Sequence, residues 1–122
     1  MANVLTNAGR AIITNRIIGG GTNPQYIGWG TGAGTAAATD TTLFTESAEA
    51  RTSGTSSQQT TSVTNDTHRV VGTIVASAGR TITNAGVLDA STAGNLYLKG
   101  DFTGVVLLTG ESIAFTFNLQ FT

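Results

Sequence analysis

From Ser112 to Thr122 the large apolar residues Ile113, Phe115, Phe117, Leu119 and Phe121 occupy every second position, with Ala, Thr, Asn and Gln between them. A period of two sets all five on one face of a β-strand, whereas a helix would scatter them around its axis. The pattern predicts a C-terminal strand with Ile113, Phe115, Phe117, Leu119 and Phe121 in the core and a far face that is wet or pressed against a polar partner surface. Burying each such side chain is worth about 1.5–3 kcal/mol before ordering entropy is counted. That places this strand at the centre of the core.

Alternation recurs upstream. Thr67 to Ala76 carries Val70, Gly72 and Ile74 on one face and Val71, Thr73 and Val75 on the other, which predicts an interior or interface-covered strand. Arg80 to Asp89 is a further strand, with Ile82 and Leu88 inward. In the next, Leu96, Leu98, Gly100 and Phe102 share a face, and Val105 to Leu108 forms a separate short run. Gly/Ser/Asn turns divide these segments at intervals of about ten residues, as in antiparallel sandwiches and barrels. The expected architecture is all-β, a jelly-roll-like antiparallel β-sandwich spanning residues 1–122 as one domain, with a short N-terminal helix at one end.

Residues 1–21 form the expected N-terminal arm and helix. Three- and four-residue spacing of Leu5, Ala8, Ile12, Ile13 and Ile17 predicts a helix from Leu5 to Ile18, capped by Thr6 or Asn7 and ended by Gly19-Gly20-Gly21. The β-branched run Ala11-Ile12-Ile13-Thr14 also suits a strand. Gln25 to Trp29 reads as a strand entering the glycine-rich stretch from Gly28 to Gly34. No helix opening or βαβ pattern follows it, so a flexible connection or close backbone contact is expected rather than a dinucleotide loop. Thr39 to Glu46 suits a single helical turn anchored by Leu43 and Phe44. From Thr52 to Asp66 only Val63 is apolar. Residues 52–66 are therefore expected to project, with Gln58 to Thr64 a strand polar on both faces, at an edge, in a hairpin or ordered by a neighbouring subunit.

Charge sharpens this picture. Charged residues make up 11% of the chain, against roughly 25% in ordinary soluble domains. The surface must then be built from Thr, Ser, Asn, Gln and Gly, short groups with little repulsive charge, suited to packing against other protein. The net charge of −1 with no Lys/Arg run argues against nucleic acid. No apolar run is long enough to span a bilayer, so no membrane partner is expected. With Cys 0 there is no thiol chemistry. Glu46 and Glu49 near Arg51 read as a surface ion pair, and His68, the only histidine, as a polar edge group. With no Gly-x-Ser-x-Gly and no clustered acids, neither catalytic residues, metal nor cofactor is expected, and the chain reads as a non-enzymatic protein.

Two stretches carry a resemblance. Tyr26-Ile27-Gly28-Trp29-Gly30-Thr31-Gly32, continued from Ala36 to Glu46, resembles a segment of small structural proteins of tailed bacteriophages. Ile82 to Ala90, Gly94 to Tyr97 and Gly110 to Phe117 are similar to the β-rich end of phage head-decoration (cement) and tail-associated proteins. The resemblance implies a virion protein on the outer surface of the capsid, present in host cytoplasm during assembly. It would bind the major capsid protein as a homodimer or homotrimer, bridging neighbouring subunits to stabilise the shell. In that setting Met1 to Thr6 and Thr52 to Asp66 are the expected arms, with Val4, Leu5, Thr52, Ser53, Gln58, Gln59, Thr60 and Thr61 as partner-binding residues. The rival is a tail or baseplate component, or a receptor- or glycan-binding module with Tyr26, Trp29 and Tyr97 as a sugar-stacking platform, although such aromatics also suit a core or interface.

Overall fold

The computed structural model describes residues 3–122. Eight strands and one helix follow in the order β1 (Val4–Leu5), α1 (Asn7–Ile17), β2 (Tyr26–Gly30), β3 (Thr52–Ser53), β4 (Thr55–Gln59), β5 (Thr67–Val75), β6 (Arg80–Leu88), β7 (Leu96–Leu107) and β8 (Ser112–Gln120). They form two antiparallel sheets, a five-stranded sheet A ordered β1-β7-β6-β2-β3 and a three-stranded sheet B ordered β4-β5-β8. In sequence the β6–β7 pair is nested within the β5–β8 pair, yet the two pairs lie in opposite sheets. This folded-over hairpin gives the sandwich its jelly-roll-like winding.

Between the sheets, Ile27, Trp29, Ile82, Val87 and Leu98 of sheet A pack on Val70, Ile74, Phe115 and Phe117 of sheet B. Phe115 meets Trp29 edge-on and stacks on Phe117, with ring centroids 6.4 and 6.0 Å apart. Sheet A is covered on part of its other face too: Leu43, from the long connection between β2 and β3, buries Leu88 and Leu96. That connection is held by backbone bonds from Thr31 to Thr45 and from Gly32 to Phe44, both 3.0 Å. The glycine-rich stretch is thus a close backbone contact.

The buried Thr6 caps α1: its hydroxyl accepts from the Gly9 amide at 2.9 Å. The same hydroxyl donates to the Leu96 carbonyl at 2.5 Å, tying the cap to β7. Gly19, at φ +88°, follows the helix in the left-handed conformation expected there. The apolar stripe is narrower than its spacing implied. Gly9 and Ile12 are buried, but Ile17 is 78% exposed, and Leu5 pairs with β7 ahead of the helix.

Other expectations need correcting. Phe121 is not core: β5 begins at Thr67 opposite Gln120, so Phe121 lies past the ladder and is 55% exposed. Ile113 and Leu119 are partly buried against the core. Moreover, β8 is an edge strand of the smaller sheet. Thr39 to Glu46 forms turns rather than helix, though Leu43 does anchor it, and β7 runs unbroken through Val105 and Val106.

The segment expected to project is built into both sheets. Thr52 and Ser53 pair with β2 in sheet A, and Thr55 to Gln59 with β5 in sheet B. At the crossing, a Cβ on Gly54 would lie 2.8 Å from Val70 and 2.9 Å from the Val71 carbonyl, so only glycine lets the chain switch sheets there. Residues 60–66 form a compact turn instead of continuing a strand.

Candidate interaction surface

The six Lys/Arg and seven Asp/Glu side chains all hydrogen-bond within the chain. Lys99, on β7, is fully buried; it donates to Asp40 at 3.0 Å and to the Thr42 carbonyl at 2.8 Å, and lies 3.2 Å from the centroid of the Phe44 ring. Arg51 forks onto both oxygens of Glu46 at 2.8 and 2.9 Å and reaches the Ala90 and Ala93 carbonyls. Far from a loose surface pair, its side chain is 7% exposed.

Glu49 does not join Arg51. It accepts from Trp29 Nε1 at 3.0 Å, Ser77 Oγ at 2.7 Å, Arg80 Nε at 3.0 Å and Ser47 Oγ. Burial pushes its carboxyl up, but the bonds from Ser47, Ser77 and Trp29 outweigh this and hold it well below the usual carboxylate range. The Asp40 carboxyl is lowered by the Ala37 amide and, against some desolvation, by Lys99. Asp66 closes the 60–66 turn, its carboxyl held far down by the amides of Thr61 and Val63, then by Ser62 and Thr67.

The remaining charges are bound locally. Asp89 accepts from Asn95, Asp101 from the Ala36 amide and Glu111 from the Leu108 amide. Arg10 donates to the Leu5 carbonyl, Arg16 to the Gly21 carbonyl and Arg69 to Asn118.

His68 joins the sheets. Its Nε2 is 2.6 Å from Ser56 Oγ, and its Nδ1 is 2.8 Å from Tyr97 Oη, on β7. Burial lowers the imidazole pKa and raises that of the Tyr97 phenol, so both stay neutral near pH 7. A serine–histidine pair oriented by a third group resembles an activated nucleophile. A neutral phenol, however, cannot stabilise an imidazolium as a triad carboxylate does. The trio is a half-buried polar clamp beside an open cleft of about 310 Å³ between α1, Pro24 and Phe121. Among the described residues no His/Asp/Glu group of three or more is placed to hold a metal ion, and no helix is long and apolar enough to cross a membrane.

By contrast, the outer face of sheet B carries little charge. Its rows run Thr55–Val71–Thr116 and Ser57–Arg69–Asn118, extended by Thr73–Ala114 and Val75–Ser112. Arg69 is the only charge among them, and Asn118 engages it at 2.9 Å. Val71 and Val75 are 39% and 54% exposed, so among the described residues nothing covers this face of β5 there; only its Thr67 end is buried, against the 60–66 turn. An interior strand is thereby ruled out. Only the polar far face of β8 was visible in its alternation; the matching face of β5 was obscured by its valines.

The partner-binding residues expected from the sequence do not converge. Val4 and Leu5 lie at one edge of sheet A, Thr52 and Ser53 at the other; of the N-terminal arm, Met1 and Ala2 lie outside the described residues. Several are engaged internally: Thr52 with the Thr73 carbonyl, Ser53 with Gln25, Gln59 with Ser57, Thr60 with the Asn65 amide and Thr61 with Asp66 and Thr67. Gln58 remains exposed. Trp29 and Tyr97 are buried, at 1% and 2% exposure, and form no sugar-stacking platform with Tyr26. In comparisons with known proteins, no family model matches the chain, and no similar curated protein or solved structure is found.

Proposed function

We propose that this chain is a non-enzymatic structural protein of a tailed-phage virion that decorates the head and bridges neighbouring major capsid subunits. In this reading the outer face of sheet B rests on the shell. The observation that carries it is the division of charge: ionisable groups are bound within the fold, while this face is mostly short-chained and nearly uncharged. Charge depletion marks the centres of protein interfaces, and short side chains lose little entropy when immobilised. A contact spanning two shell subunits stabilises the assembled state by mass action, and repetition over the shell turns modest contacts into high avidity.

Gold-labelled antibody against the chain, applied to purified virions, tests the placement. Regular label over the head is expected. Label confined to the tail would transfer the chain to tail or baseplate adhesion, and unlabelled virions would end the virion reading.

A further inference from the structure

The free edge of β8 is unguarded. Natural sheets protect their edges with charge, proline, bulges or brevity. The sheet A edges, β1 and β3, are two residues each. By contrast, β8 is nine residues long, contains no charge or proline, and pairs with β5 without a register shift.

Backbone bonds at both ends of β8 fix which groups reach that edge. The Glu111 carbonyl accepts from Ala76 at 2.8 Å, and the Phe121 amide donates to Asp66 at 2.9 Å, both towards β5. By pleat alternation, the odd-numbered residues face β5, while Ser112, Ala114, Thr116 and Asn118 turn their amides and carbonyls outward. Asn3 Nδ2 donates to the outward carbonyl of Asn118 at 3.1 Å, closing that end. Among the described residues, the outward groups of Ser112, Ala114 and Thr116 have no partner.

The neighbouring edge is open beside them. β1 pairs with Leu98 and Lys99 of β7, and among the described residues no strand pairs with that side of β7 beyond them. Between the two edges lies an apolar groove of about 260 Å³, lined by Phe102, Val105, Ile113, Ala114, Phe115 and Thr116. Its β8 lining is the same stretch whose backbone is free.

We infer that β8 pairs antiparallel with β8 of a second copy across a twofold axis through Ala114, fusing two sheets B into one. Ala114 then exchanges amide–carbonyl bonds with the second Ala114, and Ser112 with the second Thr116. Ile113 meets the second Phe115 on the inner face, so the two grooves close on each other. An occupant of this edge must be an extended strand, apolar inward and small and uncharged outward. β8 itself has that pattern, and the pairing opposes no like charges. An axis through Thr116 would instead displace Asn3 from Asn118. The inference names the self-contact left open by the proposed function, on which its biological setting rests. Because it needs no capsid, its failure leaves shell binding standing.

Sedimentation of the purified chain over a concentration series tests it, using Ala114→Lys, Ala114→Glu and the central-strand control Thr73→Lys. Wild type and Thr73→Lys should dimerise. Each Ala114 variant should weaken association at least about tenfold, because like charges then meet on the axis. An equimolar mixture of the two should recover a heterodimer, which also shows that both fold. A monomeric wild type, dimeric Ala114 variants or a mixture that stays monomeric would each overturn the pairing.

Discussion

Sheet A is covered on both faces over β2 and the adjoining parts of β6 and β7, leaving Thr81 and Val106 exposed: Lys99 is buried in its outer layer, and the Glu46–Arg51 pair and the Glu49 hub lie in the connection across it. Sheet B shares the same core but leaves its outer face bare, with one charge that is already engaged. The contrast separates two uses of polarity. Buried charged groups need complete hydrogen bonding, and in sheet A they receive it: among the described residues no buried side-chain nitrogen or oxygen lacks a partner. Exposed hydroxyls and amides need no fixed partner, so sheet B can present a surface whose contacts lie outside the chain. Substitutions in sheet A should therefore cost stability, whereas those on the outer face of sheet B should cost binding.

The largest effect should come where the sheets meet. Phe117→Ala opens a cavity in the shared core and should destabilise by about 3–5 kcal/mol in denaturant titration. Lys99→Ala strands Asp40 and removes the contact with Phe44. Because Asp40 can still reach water, the loss should be about 3 kcal/mol, at the low end for a broken buried pair.

Glu49→Gln should cost about 2 kcal/mol by weakening several bonds at once, and it carries a pH signature. A carboxyl held below its ordinary value in the fold contributes stability above about pH 4.3 that is lost as pH falls towards the folded value. The variant should thus show a shallower acid limb in thermal melts.

His68 acts in a higher window. Since burial lowers its pKa, the unfolded chain takes up the proton first as pH drops below about 6.5, and the fold loses stability from there. In His68→Gln melts, the dependence between about pH 6.5 and 5 should flatten. An unchanged slope would remove the clamp from the account.

Much of the sandwich was legible because its strands alternate cleanly. Phe115 and Phe117 announced the core side of β8, and Thr6 and Gly19 bounded the helix. What escaped depended on distant partners. Phe121 continues the alternation but lacks an opposing residue. Thr52 to Gln59 lacks apolar residues, yet pairing with β2 and β5 orders it without a core face of its own. The outer face of sheet B was the least visible, because it draws alternate residues from three separated strands and no short stretch contains it. His68 gave no sign of its bonds to Ser56 and Tyr97 for the same reason.

The smallest effect on stability should accompany the largest on binding. Thr73→Lys, in the middle of the sheet B face, should change stability by no more than about 0.5 kcal/mol, and Thr92→Lys, in the exposed turn before β7, should change it as little. Cosedimentation of these two variants with purified capsids tests the division of labour most directly. Thr73→Lys should stay in the supernatant with its melting temperature unchanged while Thr92→Lys pellets like wild type; equal pelleting of both would show that the sheet B face plays no part in shell binding.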